Sequence, residues 1–295
     1  MDIGRIGVWS FLDSLSAADA AQFARDVEAL GYRTLWIPEA IGRDAMVAAG
    51  WLLSSTRTLN VATGIANVYA RDAVTSVAAA KSLAELSAGR FVLGLGVSHR
   101  PLVEGIRGHR PDNPFEYMRA YLDKMAGAPY VASPPAEDPP VVIGALHPKM
   151  LALSAEKARG AHPYLVPPEH TAFARNILGK GPWLCPEQKV LMVTDAAKAR
   201  AVARQAIAMY LGLPNYRRSL ARFGYGDADL DGGGSDRLVD AVVAWGDEKR
   251  IAERVRAHLD AGADHVCIQP LDPDGLPRPD RRVLEAFAPA RGATV

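Results

Sequence analysis

The chain has 295 residues, of which 49% are hydrophobic and 23% are charged, an ordinary composition for a globular protein. Its 34 basic and 33 acidic side chains give a formal net charge of +1. A charge this small excludes neither cationic nor anionic ligands, and it does not indicate a nucleic acid or an anionic membrane as a partner. The N-terminus lacks the long apolar stretch of a signal peptide, and no membrane span is expected. We therefore expect a cytoplasmic protein.

Apolar runs and helical patterns alternate from the N-terminus onward. The first half of the chain predicts a strand over 5–10, a helix over 16–31, a strand over 34–40, a helix over 44–57, a strand over 59–68, a helix over 72–89, a strand over 90–99 and a helix over 115–127. Asp44 precedes the second helix as a candidate N-cap, and Gly89 ends the third helix.

The alternation continues through the second half. It predicts a strand over 139–146, a helix over 147–160, a strand and helix within 161–178, a strand and long helix within 187–211, a helix and strand within 247–271, and a last helix within 278–290. The strands are apolar throughout, which indicates a parallel sheet covered by helices. Eight βα units predict an α/β fold of the (β/α)8 TIM barrel type, as a single domain over 1–295.

The run RFVLGLGVSHRP, over 90–101, contains a G-x-G that could indicate a dinucleotide-binding fold. That fingerprint requires a third glycine opening a helix, whereas His99 stands at this position and a proline-containing loop over 100–114 follows. The dinucleotide fold is therefore rejected. In a barrel the same glycines lie at the end of the fourth strand, where a flat ligand can approach the backbone.

Active sites of barrels are built from the carboxyl ends of the strands. Glu39 follows the second strand as a possible base or hydrogen-bond acceptor, with a structural pairing to Arg43 as the alternative. His99 could transfer a proton or donate to a ligand carbonyl, with a solvated loop histidine as the alternative. The candidates at strand ends are Trp9, Ser10, Glu39, Asn67, Arg71, Gly96, Val97, Ser98, His99, His147, His162, Tyr164 and Gln269.

Two further patterns concern anions and cations. Pro148 at the start of a helix, with Lys149 beside it, could hold a phosphate at the free backbone donors of that helix. The acidic stretch over 227–232 imitates the start of a calcium loop, but Leu238 stands where a glutamate is required, so it is interpreted as a flexible acidic surface loop. No Cys or His cluster has the spacing of a zinc site, and no metal is expected.

Three segments resemble one family. LAELSAGRFVLGLGVSH over 83–99, ATGIANVYARDA over 62–73 and GALHPKMLALSAEKARG over 144–160 are similar to motifs of the luciferase-like monooxygenase superfamily, and especially to its branch that depends on coenzyme F420. The resemblance implies a (β/α)8 barrel that binds flavin mononucleotide (FMN) or the deazaflavin coenzyme F420, and a homodimer. The stretch over 125–140, after the fourth helix, is shorter than the insertion usual in the family.

The resemblance also implies roles for individual residues. Gly64 and Ile65 match a cis peptide that backs the ring, and Asn67 matches a contact to the ring edge. The cofactor is expected to lie along Gly96, Val97 and Ser98, with its phosphate enclosed by Ala145, Leu146, His147 and Pro148. Glu39 and His99 stand where sugar-phosphate dehydrogenases of the family carry other residues, so a sugar phosphate is not the expected substrate.

The leading hypothesis is an F420-dependent oxidoreductase that transfers a hydride to or from a small organic substrate, with Glu39 and His99 as its proton-handling pair. F420 is favoured over FMN because Lys149, His147, Lys157 and Arg159 could face the anionic tail that only F420 carries beyond its phosphate. The alternatives are an FMN-dependent monooxygenase, a deazaflavin-binding protein without catalysis, and a barrel enzyme without redox chemistry, such as a phosphate-handling lyase.

Overall fold

A computed structural model describes residues 1–110 and 113–291. Its strands are short and buried. They are β1 (Ile6–Trp9), β2 (Thr34–Ile37), β3 (Asn60–Thr63), β4 (Ala66–Asn67), β5 (Phe91–Gly96), β6 (Val141–Ile143), β7 (Gly160–Ala161), β8 (Trp183–Leu184), β9 (Glu187–Leu191), β10 (Val243–Trp245) and β11 (Val266–Pro270).

Helices follow most of the strands. They are α1 (Ala17–Ala29), α2 (Ala45–Ser55), α3 (Ala73–Leu86), α4 (Pro114–Ala126), α5 (Pro148–Lys157), α6 (Pro168–Leu178), α7 (Ala196–Leu211), α8 (Pro214–Ala221), α9 (Asp227–Leu230), α10 (Asp236–Val242), α11 (Glu248–Asp260) and α12 (Arg281–Ala286). Many begin at a side chain that accepts hydrogen bonds from the first turn, as Asp44 does from the backbone N–H groups of Met46 and Val47. The predicted N-cap is therefore confirmed.

The strands pair in parallel in the order β10-β9-β11-β1-β2-β3-β5-β6-β7-β8, and β4 pairs with β5 beyond the end of β3. Strand β8 stands at one end of this order and β9 stands near the other end. The two ends of the sheet meet, because only Cys185 and Pro186 separate β8 from β9 in the sequence. There the Cys185 N–H donates to Ala161 O and the Cys267 N–H donates to Pro186 O, each at 2.9 Å. The sheet is therefore curled, and the prediction of an α/β fold with a parallel sheet is confirmed.

Several predicted boundaries were wrong. The strand predicted over 59–68 is divided into β3 and β4 by a cis peptide bond between Gly64 and Ile65. The predicted sixth strand shrinks to β7. The loop predicted over 100–114 contains a π-helix at Pro101–Ile106, while Pro111 and Asp112 lie outside the described residues, as do 292–295 at the end of the predicted domain.

The sequence patterns predicted no helix or strand for the segment between α7 and α11. It contains three helices and β10, and the acidic stretch expected to be a flexible loop includes α9. Asp229 pairs there with Arg237 and accepts a hydrogen bond of 2.6 Å from Ser235. These helices are 8, 4 and 7 residues long, too short for a helical period to be recognised in the sequence.

The apolar core lies between the curled sheet and the helices, and it includes Val8, Leu35, Val61, Phe91 and Ile268. No helix among the described residues combines the length and the apolar character needed to cross a membrane.

Candidate functional site

A cavity of about 710 Å³ opens where the strands end. Its walls combine the segments after β1, β2, β3, β5, β6 and β7 with α7 and α8. All of the predicted catalytic and cofactor-binding residues except Asn67 line this cavity: Glu39, Gly64, Ile65, Gly96, Val97, Ser98, His99, Ala145, Leu146, His147, Pro148 and Lys149. The rule that barrel sites form at strand ends therefore located the cavity correctly.

Ile65 forms an apolar floor in this cavity. A Cβ atom added to Gly96 would lie 2.5 Å from Ile65 Cγ1, and one added to Gly144 would lie 3.3 Å from Ile65 Cγ2. The two glycines therefore leave the space in which the Ile65 side chain lies across the ends of β5 and β6. The indole N–H of Trp9 donates to Gly64 O at 3.0 Å and holds the adjoining backbone.

Glu39 lies at the edge of the cavity with its carboxylate fully engaged. It accepts hydrogen bonds from the Asn67 N–H at 2.7 Å, the Ala45 N–H at 3.3 Å and the Arg71 guanidinium. Burial lowers the pKa of Arg71, but its bonds to Glu39 and Asp44 outweigh this and raise that pKa. The structural pairing considered as an alternative for Glu39 is present, but its partner is Arg71 and not Arg43.

Asn67 does not line the cavity, in contrast to its expected contact with a ring edge. Its side chain is 1% exposed, and its Oδ1 accepts a hydrogen bond of 2.9 Å from the Tyr69 N–H. The side chain therefore stabilises the turn that follows β4.

His99 is half-buried in the cavity wall, and its ring centroid lies 5.4 Å from that of Tyr216. Burial lowers the pKa of His99 below its usual value, so the imidazole is neutral at neutral pH. A neutral imidazole facing a cavity can accept or relay a proton.

His162 lies deeper in the same cavity and is 2% exposed. Its ring stacks on Trp36 with centroids 4.6 Å apart and planes 12° apart, and its Nδ1 is 2.7 Å from Cys185 O. Its Nε2 has no hydrogen-bond partner among the described residues. Burial lowers the pKa of His162 to about 4.

One rim of the cavity is cationic. Helix α5 begins at Pro148, and the exposed side chains of Lys149 and Arg218 stand at this rim. The His147 Nε2 donates to Asn215 Oδ1 at 3.0 Å, which joins the start of α5 to α8.

Two other cations were wrongly expected at this rim. Lys157 ends α5 at the far end from Pro148 and binds Asp123 at 2.7 Å. Arg159 precedes β7, where its guanidinium lies over the ring of Trp183. Neither lines the cavity, because α5 is about 15 Å long and the two residues lie at or beyond its far end.

An aromatic wall from the second half of the chain completes the cavity. Tyr164 OH is 3.0 Å from Tyr210 OH and donates to Gln269 Oε1 at 3.0 Å, and Tyr216 packs beside them. A second cavity of about 260 Å³ shares Tyr210 with the first and is lined by Ser10 and Gln269.

Sequence reasoning missed Tyr210, Tyr216 and Arg218. They stand on α7 and α8 rather than at strand ends, so the barrel rule gave no signal for them. Among the described residues, no group of three or more His, Cys, Asp or Glu side chains is placed to hold a metal ion.

The sequence profile of the luciferase-like monooxygenases matches residues 4–265. The chain belongs to this family. A curated relative in Mycobacterium tuberculosis, named "Putative coenzyme F420-dependent oxidoreductase", is 28% identical over 70% of this chain and 71% of the relative. A 5,10-methylenetetrahydromethanopterin reductase of Methanolobus tindarius is 26% identical over 90% and 94% of the two chains.

Solved structures share the fold of this luciferase-like chain. The F420-dependent tetrahydromethanopterin reductase of Methanopyrus kandleri superposes with a TM-score of 0.74 at 16% identity, covering 96% of this chain and 97% of that one. The oxygenating constituent of 3,6-diketocamphane monooxygenase from Pseudomonas putida, in complex with FMN, superposes with a TM-score of 0.72 at 15% identity, covering 96% of each chain.

Proposed function

We propose that this luciferase-like protein is an F420-dependent oxidoreductase that transfers a hydride between a deazaflavin ring and a small organic substrate. Both curated relatives described above are oxidoreductases, and one carries F420 in its name. The observation that carries the proposal is the combination of the apolar floor at Ile65 with the exposed cations Lys149 and Arg218 at one rim.

We propose that the curled sheet functions as a closed (β/α)8 barrel. The hydrogen bonds of Cys185 and Cys267 on either side of the β8–β9 junction support closure there. The segment over 127–140, which contains no helix or strand, is compatible with a shortened insertion. Closure matters for function because it aims all the strand ends at one cavity.

The residues present fit a flavin-type ring with a phosphate-bearing chain. The cavity volume of about 710 Å³ lies in the usual range for cofactor sites. Ile65 offers an apolar face, the orphaned Nε2 of His162 offers a polar contact, and the start of α5 offers backbone donors to a phosphate. A bound deazaflavin would supply a ring carbon that accepts or donates a hydride.

The protein's own part in the reaction is to position groups and to move a proton. His99 is the group proposed to exchange a proton with the substrate, because it faces the cavity with a neutral ring. Glu39 is proposed to support this site by holding the Asn67 backbone, since its carboxylate is already shared among several donors. Its predicted role in proton transfer stays a prediction.

His99→Gln tests the proton-handling role. Loss of a general acid or base is expected to lower kcat on the order of a hundredfold. Ring affinity is expected to stay within threefold, and the acid limb of the pH–rate profile is expected to disappear. Unchanged turnover of an alcohol, aldehyde or enone that the wild type converts would remove His99 from the mechanism.

The choice of F420 over FMN rests on the positive charges at the cavity rim. F420 carries an anionic tail beyond its phosphate, and neither Lys149 nor Arg218 has a carboxylate partner within the described ranges. Titration of the purified protein with each cofactor, followed by fluorescence, tests this choice. We expect micromolar or tighter binding of F420 and weaker binding of FMN.

FMN-dependent monooxygenation is the second candidate, supported by the FMN complex of the related fold. A helix start binds either phosphate equally well. Tight FMN binding with none of F420, together with oxygen consumption by the reduced complex, would favour this candidate. F420 binding without turnover of any substrate would favour a protein that binds the cofactor without catalysis.

A homodimer is proposed through α2. Val47 and Trp51 are 74% and 48% exposed and stand one turn apart on this helix, and Ile41 just before it is 69% exposed. An exposed apolar stripe of this kind is typical of a helix that packs against a partner. Light scattering at micromolar concentration is expected to give twice the mass of the chain, and Trp51→Glu is expected to give the monomer.

A further inference from the structure

We infer that His162 binds the ring ligand directly, by accepting a hydrogen bond from a ring N–H at its Nε2 atom. This inference rests on the proposed function, because it assumes that a flavin-type ring occupies the large cavity. It adds a specific contact and a direction to that contact: the protein accepts and the ring donates.

The first step is the tautomer of His162. The Nδ1 atom lies 2.7 Å from Cys185 O, and a carbonyl oxygen can only accept, so Nδ1 carries the ring proton. Nε2 is then an unprotonated nitrogen with a lone pair in the plane of the ring. The stack on Trp36 holds that plane in place.

The second step is that the surrounding protein leaves this lone pair unused. Trp9 Nε1 and His162 Nε2 both lie beside Gly64, at 2.8 and 3.0 Å from the position of a Cβ built there, but the Trp9 N–H donates to Gly64 O. His162 Nε2 lies 3.0 Å from the position that a Cβ on Gly64 would occupy, so any side chain at position 64 would press against this atom. A buried acceptor without a donor is destabilising, and a ligand that supplies the donor removes this cost.

The third step is the chemistry of the ligand. The oxidised ring of a flavin or deazaflavin carries carbonyl oxygens and unprotonated nitrogens, and its one N–H is the imide on the pyrimidine ring. An acceptor in the protein therefore selects the imide edge. Burial lowers the pKa of His162 to about 4, so the acceptor form persists at neutral pH.

The experiment compares FMN and the F420 ring, each with and without a methyl group on the imide nitrogen, by fluorescence titration. Wild type is expected to lose about tenfold in affinity on methylation. His162→Phe keeps the ring shape and the stack on Trp36 but has no acceptor, so it is expected to bind both forms equally. His162→Gln, which restores an acceptor, is expected to recover part of the difference.

His265→Phe is the matched control. His265 contacts the same Trp36, and its Nε2 already accepts a hydrogen bond of 3.0 Å from the Trp36 indole, but it does not line the cavity. This variant is expected to keep the full preference for the unmethylated ring. Thermal unfolding of every variant identifies any that fails to fold.

The outcomes separate the inference from the proposed function. Equal affinity of wild type for methylated and unmethylated rings would overturn the inference and leave the function intact. A methylation penalty that persists in His162→Phe would also overturn it, because the penalty would then be steric. Failure of both rings to bind wild type would overturn the proposed function itself.

Discussion

Glu39 and Arg71 form a bidentate ion pair at the edge of the cavity. Arg71 Nη1 donates to Glu39 Oε2 at 2.9 Å, and Arg71 Nη2 donates to Glu39 Oε1. The side chains are 7% and 4% exposed for Arg71 and Glu39, so both charges are removed from water. Since Glu39 also accepts from the Asn67 N–H, the pair ties the segment after β2 to the segment after β4.

We expect Glu39→Gln to lower the free energy of unfolding by about 2 kcal/mol, because charge-assisted hydrogen bonds are lost, although Arg71 keeps Asp44 as a counter-charge. Arg71→Met is expected to lower the free energy of unfolding by a similar amount. The double variant is expected to cost less than the sum, since each single change breaks the same pair. Urea unfolding of all four proteins measures the coupling, and strictly additive costs would contradict it.

Gly96→Ala is expected to narrow the cavity. The new methyl group would meet Ile65 at 2.5 Å, so Ile65 must move toward the space proposed for the ring. We expect ring affinity to fall at least tenfold and the free energy of unfolding to fall by about 1–3 kcal/mol. Gly127→Ala is the control, because nothing lies within 4 Å of a Cβ atom at Gly127. Equal ring affinity of the two variants would argue against ring binding on this floor.

Lys149→Glu tests the cationic rim. Reversal of this charge is expected to weaken F420 binding about fivefold or more at low salt, and the difference is expected to shrink as salt is added. Lys157→Glu changes the same charge at the opposite end of α5, where Lys157 binds Asp123, and is expected to leave affinity unchanged. Titrations in low and high salt distinguish the two variants, and equal effects would exclude a local role for the rim.

Buried histidines are expected to make stability depend on pH. Burial lowers the pKa of His162, His170 and His265 to about 4 and that of His258 to about 3. The unfolded chain binds protons at these rings below about pH 6.5, whereas the folded chain does not until about pH 4. Their contribution to stability is therefore complete above pH 6.5. It is lost as the pH falls toward 4, by about 1.4 kcal/mol per pH unit for each ring.

His258→Gln is expected to reduce the slope of the unfolding free energy against pH by the contribution of one histidine. His258 is fully buried between Thr171 Oγ1 at 2.8 Å and Gln188 Oε1 at 2.9 Å, so it is remote from solvent in the folded state. Free energies of unfolding at pH 7, 6 and 5 give the slope for both proteins. Identical slopes for the two proteins would show that burial does not keep His258 unprotonated in the folded state.

The sequence predicted those parts of the fold that depend on local patterns. Asp44 caps α2 through its own side chain, and the apolar run at β5 is buried from Phe91 to Gly96. Local patterns predicted one strand over 59–68 but not its division, because Ala66 and Asn67 pair with Leu95 and Gly96 beyond the end of β3.

The same distinction applies to the site. Strand-end residues were predictable since the parallel strands β1, β2, β3, β5, β6 and β7 end at the same cavity, and the resemblance to a family suggested the cis peptide at Gly64, which the structure contains. Arg218 and Tyr216 were not predictable, because α8 reaches the cavity only through tertiary packing. The unpaired Nε2 of His162 likewise depends on the distant Cys185, which determines the tautomer.

The positions of Lys149 and Arg218 limit the distance over which they can attract an anion. With a net charge of +1 the molecule as a whole has almost no long-range field, and at physiological ionic strength electrostatic influence extends only about 8 Å. If an anionic cofactor binds as proposed, the two side chains would act on a ligand that has already diffused to the opening and would retain it while its ring enters. Diffusion would then govern encounter, and the charges at the opening would decide which encounters last.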